Sequence, residues 1–167
     1  LIRAEAIGAN FADGLMVPIG MIAVYALFWR APKQHRYDRY TYVLMAGVSS
    51  YFLAKIIGAL WQPTAMRPFE QLGVAAGASS LNNPGFPSDH ALFAMFLTLA
   101  VWYVSRDNRL AISMFALTLF VCVGRVIALV HTPLDVTGGI VIACVGACWY
   151  IIGNRIERNS LAQKAKR

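Results

Sequence analysis

The sequence predicts an all-α protein, a polytopic membrane helix bundle of about five transmembrane helices, with residues 1–167 forming a single domain. Three observations carry this. The chain is 58% hydrophobic, against roughly 45–50% apolar residues in soluble domains. Only 14% of its residues are charged, too few to clothe a soluble surface, and its aromatic and aliphatic content excludes intrinsic disorder. Its formal net charge is nevertheless +7, and the basic residues gather between long apolar runs, where membrane-flanking charge belongs. That placement sets nucleic-acid binding aside, although the charge alone would permit it.

Taken in order, the first apolar run is Leu15 to Trp29, with a possible start near Ile7. Tyr40 to Trp61, Ala91 to Val104, Leu110 to Val130 and Leu134 to Ile152 follow. Several fall short of the roughly 20 residues of an ideal span, and adjoining polar turns supply the remaining length. Trp29, Trp61, Trp102 and Trp149 stand near run ends, as an aromatic belt requires. In the fifth run Gly139, Gly146 and Gly153 recur every seventh residue with Ala143 between them, which reads as a seam for close helix approach. Cys122, Cys144 and Cys148 lie inside apolar runs without metal-ligand spacing and read as small buried hydrophobes. Gly73 to Gly85 is the flexible stretch.

Charge sets the orientation. Eleven of the fifteen Lys/Arg fall in three clusters: Arg30, Lys33, Arg36 and Arg39; Arg106 and Arg109; Arg155, Arg158, Lys164, Lys166 and Arg167. The positive-inside rule makes these three regions cytoplasmic, the C-terminus included. Five spans then put the N-terminus, the loop Gln62–Phe86 and the loop around His131 outside. The expected location is a cell (inner or plasma) membrane, crossed several times. Arg3, Lys55, Arg67 and Arg125 remain outside the clusters, and the last three need another explanation.

Ionisable groups at span ends are costly and therefore informative. The outward ends supply Lys55, Arg67, Ser88, Asp89, His90, Arg125, His131 and Asp135. Three cations, two histidines, a hydroxyl and two carboxylates at one face read as an oxyanion-handling site, and arginine forks match phosphate oxygens. Ser88 is a candidate N-cap, followed by free N–H groups suited to an anion. Thr132, Pro133 and Asp135 have the layout of a capping box with Asp in place of Glu. Asp135 also stands one turn after His131, within reach of its ring N–H. Arg125 and Lys55 lie deeper, with side chains long enough to snorkel toward a shared phosphate. Taken singly, Asp135 could be only a cap and Arg125 only a structural ion-pair partner.

Three blocks in order then resemble the type-2 phosphatidic acid phosphatase superfamily. Arg67-Pro68 is similar to the end of its first motif, and Pro87-Ser88-Asp89-His90 to its second, where many members carry Gly in place of Asp89. Arg125, five residues, His131, three residues and Asp135 match the spacing of the third. Two departures stand out. The family's first-motif lysine falls on Leu60 here, Lys55 being twelve residues before Arg67, and Gly124 replaces a frequent Ser. Within the superfamily, Arg-Pro-Phe together with Phe-Pro-Ser-Asp-His looks most like bacterial undecaprenyl-diphosphatases.

The resemblance implies a membrane lipid phosphatase that removes a terminal phosphate from a polyprenyl diphosphate, with a place in cell-wall biosynthesis. It implies His131 as the nucleophile that forms a phosphohistidine, Asp135 as its orienting partner and His90 as the acid and then base. Arg67, Ser88, Arg125 and Lys55 would hold phosphate oxygens. Asp89 is expected to keep His90 protonated. No metal-ligand cluster is visible, so neither metal nor cofactor is expected, and the expected partners are the lipid substrate and membrane lipids. Phosphatidylglycerophosphate and phosphatidic acid are alternative substrates. A lipid transporter or assembly subunit is the non-enzymatic alternative.

Overall fold

The computed structural model describes residues 13–64, 66–80 and 85–164, and among these every regular element is helical. The five apolar runs become five helical stretches. Helix α1 (Met16–Tyr25) widens into a π-helical turn over Ala26–Arg30. A single 3-10 turn, Lys33–His35, leads into α2 (Arg36–Leu60). After the short α3 (Pro68–Gln71) come α4 (Asp89–Ser105), α5 (Asn108–Ile127), α6 (Pro133–Gly146) and α7 (Cys148–Lys164). Lys33–Leu60, Asn108–Ile127 and Pro133–Gln163 are long and apolar enough to cross a membrane, while Met16–Arg30 and Asp89–Ser105 are shorter apolar helices.

Helix ends follow local chemistry. Asp107 caps α5, its Oδ1 accepting from the N–H groups of Arg109 at 3.0 Å and Leu110 at 3.3 Å. Arg106, at φ 57°, closes α4 in the left-handed region, so two residues suffice to reverse the chain. The capping box expected at Thr132 is present: the Thr132 hydroxyl accepts from the Asp135 N–H, and Asp135 Oδ2 accepts from the Thr132 N–H at 2.7 Å.

Helix α4 is the axis of the bundle. Its residues enter every buried cluster: Ala94, Leu97 and Val101 against α1 and α5; Tyr103 and Val104 against α2 and α7; Leu92 against α2 and α6; Ala91 against α5 and α6. A helix buried over most of its surface, with Phe93 and Trp102 exposed, needs no polar face, and α4 between Ala91 and Val104 carries only Thr98 among polar aliphatic residues. The Thr98 hydroxyl is satisfied by the Ala94 carbonyl at 2.9 Å and Thr118 at 3.0 Å.

The outer helices turn large apolar side chains outward, among them Phe28, Leu44, Phe52, Phe120 and Val141. A soluble surface would not carry so broad an apolar belt, and lipid is its natural solvent.

The glycine seam is real and serves three different neighbours. A Cβ on Gly139 would sit 2.6 Å from the Ser88 carbonyl and 2.9 Å from the Leu92 nitrogen, so backbone meets backbone where α6 crosses α4. Gly146 accommodates Ser50 and Ala46 of α2, and Gly153 accommodates Tyr42 and Tyr103.

Several expectations are corrected. The last helix does not stop at Ile152 but continues to Lys164, where Glu157 pairs with Arg39 of α2 and Asn154 accepts from Arg106. Trp149 consequently lies in the middle of the Pro133–Gln163 stretch, at the start of α7, and donates to the Ser49 hydroxyl at 3.2 Å. Cys122 is buried as expected, but Cys144 and Cys148 are exposed on the outer side of the helix; all three are free thiols. Arg3, the possible start near Ile7, Lys166 and Arg167 lie outside the described residues, as does the 81–84 part of the flexible stretch and the side chain of Lys164.

The basic clusters do share one end. Arg30 Nη2 reaches Asp107 Oδ2 at 2.6 Å, Arg39 Nη2 reaches Glu157 Oε1 at 2.9 Å, and Arg106 bonds Asn154. The three basic regions are thereby joined at one end of the bundle.

Candidate active site

At the opposite end, a cavity of about 520 Å³ is lined by Lys55, Arg67, Asp89, His90, Arg125 and His131, together with Gln62, Ser79 and Phe86. Six of the eight residues singled out from sequence therefore face one space. The other two, Ser88 and Asp135, lie directly behind it, 0% and 1% exposed.

Each is held by local structure. Arg67 precedes α3, where the Glu70 carboxylate accepts the Arg67 N–H at 2.7 Å, which gives Glu70 a capping role. The Arg67 Nη1 donates to the Val130 carbonyl at 2.8 Å, so this arginine is fixed beside His131. Gly85 sits between Arg67 and Asp135; a Cβ there would be 3.3 Å from Asp135 Oδ2 and 3.7 Å from Arg67 Cγ. The Ser88 N–H donates to the Asp135 carbonyl at 3.0 Å, which ties the start of α4 to the first turn of α6. Gln62 grips the loop before α4 from both sides: its Nε2 donates to the Phe86 carbonyl at 2.9 Å, and its Oε1 accepts from the Phe86 N–H at 3.2 Å.

Ser88 occupies the N-cap position of α4, but its side chain does not cap. The hydroxyl is buried and has no hydrogen-bond partner among the described residues. Orphaned buried hydroxyls are uncommon and costly, and this one leaves a donor unspent beside the cavity.

His131 is 4% exposed, and its Nδ1 stands 3.6 Å from Asp135 Oδ2, just beyond hydrogen-bond length. The same oxygen is already taken by the Thr132 N–H, so Asp135 combines capping with facing the histidine. Burial lowers the His131 pKa below its ordinary value of 6.5; the Asp135 carboxylate opposes this, and the Arg125 and Arg67 charges add to it. The imidazole is thus kept neutral.

Arg125 is 2% exposed. It does not extend freely toward the surface as its length would allow: Nη1 donates to Asp13 Oδ1 at 2.9 Å and Nη2 to the Ser79 carbonyl at 2.7 Å, while Nε is buried without a partner.

Lys55 Nζ bonds both Asp89 oxygens, at 3.0 and 3.1 Å, and lies 5.2 Å from the Tyr51 ring centroid. Asp89 is thereby spent on Lys55. The carboxylate against His90 is that of Asp13, 3.3 Å from Nε2, while Asp89 acts on the ring through its charge alone.

Asp13, Ser79 and Gln62 escaped the sequence reading. Asp13 reaches Arg125 across 112 residues and Gln62 reaches Phe86 across 24, and no local spacing signals either contact. Asp13 did carry one sign, being a carboxylate just ahead of the first apolar run.

Among the described residues no group of three or more His, Cys, Asp or Glu is placed to hold a metal ion. In comparison with known proteins, the sequence model of the PAP2 superfamily matches residues 37–157. No curated protein and no solved structure matches the chain.

Proposed function

The chain belongs to the PAP2 superfamily, and from that premise we propose that it is a membrane phosphatase removing the terminal phosphate of a lipid diphosphate, of the polyprenyl (undecaprenyl) class, at the outer membrane face. The observation that supports it best is the single cavity facing His131, His90, Arg67 and Arg125, with Asp135 behind the first histidine.

In this reading His131 is the nucleophile. Its Nδ1 faces Asp135, which leaves Nε2 for attack on the terminal phosphorus. A P–N bond forms as the bond from phosphorus to the bridging oxygen breaks. His90 gives a proton to that oxygen, and the lipid leaves as its monophosphate. A water then attacks the phosphohistidine with His90 as base, which restores His131 and releases inorganic phosphate. Arg67, Arg125 and the unspent Ser88 hydroxyl stabilise the equatorial oxygens as charge builds. Lys55 contributes from the α2 side, its charge partly offset by Asp89. Asp135 orients the ring and offsets the developing imidazolium, as carboxylates do in other nucleophilic sites.

The basic end supports an inward orientation for the C-terminus, and hence an outward cavity. No step calls on a metal.

The test is phosphate release by the purified full chain with prenyl diphosphates, phosphatidylglycerophosphate and phosphatidic acid side by side. Prenyl diphosphates should turn over fastest, chelator should leave the rate intact, and orthovanadate should inhibit. The substitution His131→Ala should lower kcat by at least about 10⁴-fold. A faster rate on phosphatidyl phosphates would move the substrate class, and near-normal turnover by His131→Ala would sink the nucleophile.

A further inference from the structure

Asp13 belongs to none of the three motif blocks, yet its carboxylate touches two of their central residues. Oδ1 accepts from Arg125 Nη1 at 2.9 Å and stands 3.3 Å from His90 Nε2. Oδ2 accepts from the Ser79 N–H at 2.9 Å. Ser79 closes the ring, because its carbonyl accepts from the other Arg125 nitrogen, Nη2, at 2.7 Å.

The direction of approach decides what the carboxylate does. Arg125, His90 and Ser79 line the cavity, and Asp13 does not. The carboxylate therefore stands behind the arginine and the histidine relative to the space where a phosphate would lie. It acts on them without occupying that space.

Two physical effects follow. A free arginine side chain has many rotamers, and ordering it costs free energy; two hydrogen bonds on the Nη atoms fix the guanidinium plane before any phosphate arrives. The Nε–H is left unpartnered and buried beside the cavity. A carboxylate at 3.3 Å also favours the protonated imidazole of His90. The charged and titratable groups around that ring are Asp13, Arg125, His131 and Asp89. Burial, Arg125 and His131 oppose the proton, and Asp89 is bound to Lys55, which makes Asp13 the carboxylate in contact with His90.

We propose that Asp13 is a positioning residue for phosphoryl transfer: from behind the cavity it fixes the Arg125 guanidinium and orients His90 as the acid. The proposal rests on the reading above, in which Arg125 and His90 act on the phosphate. It also makes the segment ahead of α1, outside residues 37–157 of the family match, part of the active site.

The experiment compares the full-length parent, Asp13→Asn, Asp13→Glu and His131→Ala in detergent, on a short prenyl diphosphate and on phosphatidic acid, with orthovanadate as the probe of the phosphate site. For Asp13→Asn, kcat should fall about 10- to 100-fold with KM within about threefold, on the scale of a weakened general acid. The alkaline limb of its kcat profile should move to lower pH, and Asp13→Glu should recover part of both. Those two readouts separate positioning from a merely structural role. An unchanged kcat and pH profile would overturn the proposal. So would a fall in both KM and the vanadate inhibition constant, which would mark Asp13 as an anion competing for the phosphate site. If Asp13→Asn unfolds, the more conservative Asp13→Glu carries the test through its pH profile. A parent that hydrolyses neither lipid, or an active His131→Ala, takes down the functional reading and the proposal with it. An active parent with inert His131→Ala and normal Asp13→Asn takes down the proposal alone.

Discussion

The two ends of this bundle use the same residue types for opposite purposes. At the basic end, arginine meets carboxylate across helices: Arg30 with Asp107, and Arg39 with Glu157, whose second oxygen lies 3.8 Å from Arg106. Arg39 also donates to the Val104 carbonyl at 2.9 Å. These contacts tie one helix to another, and the cavity of about 480 Å³ beside them is lined by two carboxylates, Asp38 and Glu157, that offset Arg39. At the other end, Arg67, Arg125, His90 and His131 come from four separate places in the chain and face one space. The hydroxyl of Ser88 there has no partner among the described residues. The contrast shows that a buried arginine in a membrane protein is not by itself a sign of chemistry. What it faces, and what its neighbours leave unsatisfied, decides.

Substitutions can break or sharpen that contrast. The largest effect is expected at Asp135→Asn, which should cut kcat about 10³-fold or more by loosening the nucleophile's orientation. Its pH dependence has a definite sign. His131 must be neutral to attack, and its lowered pKa places the acid limb of kcat/KM below 6.5 in the parent. Asp135 pulls that pKa upward, so Asp135→Asn should move the limb to still lower pH, as read in rate profiles between about pH 4 and 8. A limb that moves upward would contradict the assignment of His131.

Next comes Arg39→Ala at the other end. Removing Arg39 leaves Glu157 with Arg106 alone, at 3.8 Å, so the cost should stay below about 3 kcal/mol. The thermal midpoint in detergent should fall, while kcat per folded molecule stays within about twofold. A drop in kcat without loss of stability would show that the ends are not separable.

The smallest effect is expected at Ser88→Ala. It should lower kcat/KM about tenfold, the worth of one charge-assisted hydrogen bond. The thermal midpoint should stay level, since the hydroxyl caps nothing. A stability loss of a full cap, about 1 kcal/mol, would restore Ser88 to the role its sequence position suggests.

How much of this was legible follows from range along the chain. Long apolar runs mark helices whatever packs around them, so the five stretches could be read directly. The Thr132–Asp135 box could be read too, because its bonds span three residues. The end of the last helix could not, because polar residues after Gly153 look like a tail until Arg39 of α2 and Arg106 are present to pair with them. Lys55 was legible as a cation near the site, but its pairing with Asp89, 34 residues on, was not. Asp13, Ser79 and Gln62 depend on contacts that exist only once the helices have assembled.

One feature of the packing bears on how such an enzyme could change its diet. Where Gly139 lets α6 press against the Ser88 carbonyl and Leu92, and the Ser88 N–H clasps Asp135, the starts of α4 and α6 are fused backbone to backbone. The two histidines flank that junction, so in the proposed reaction the geometry would work as a fixed anvil. The rest of the cavity wall comes from α2, Arg67, Arg125 of α5 and Ser79, and Lys55 and Gln62 touch the anvil through their side chains. New lipid headgroups could then be accommodated by remodelling that wall, with the hydrolytic machinery inherited unaltered.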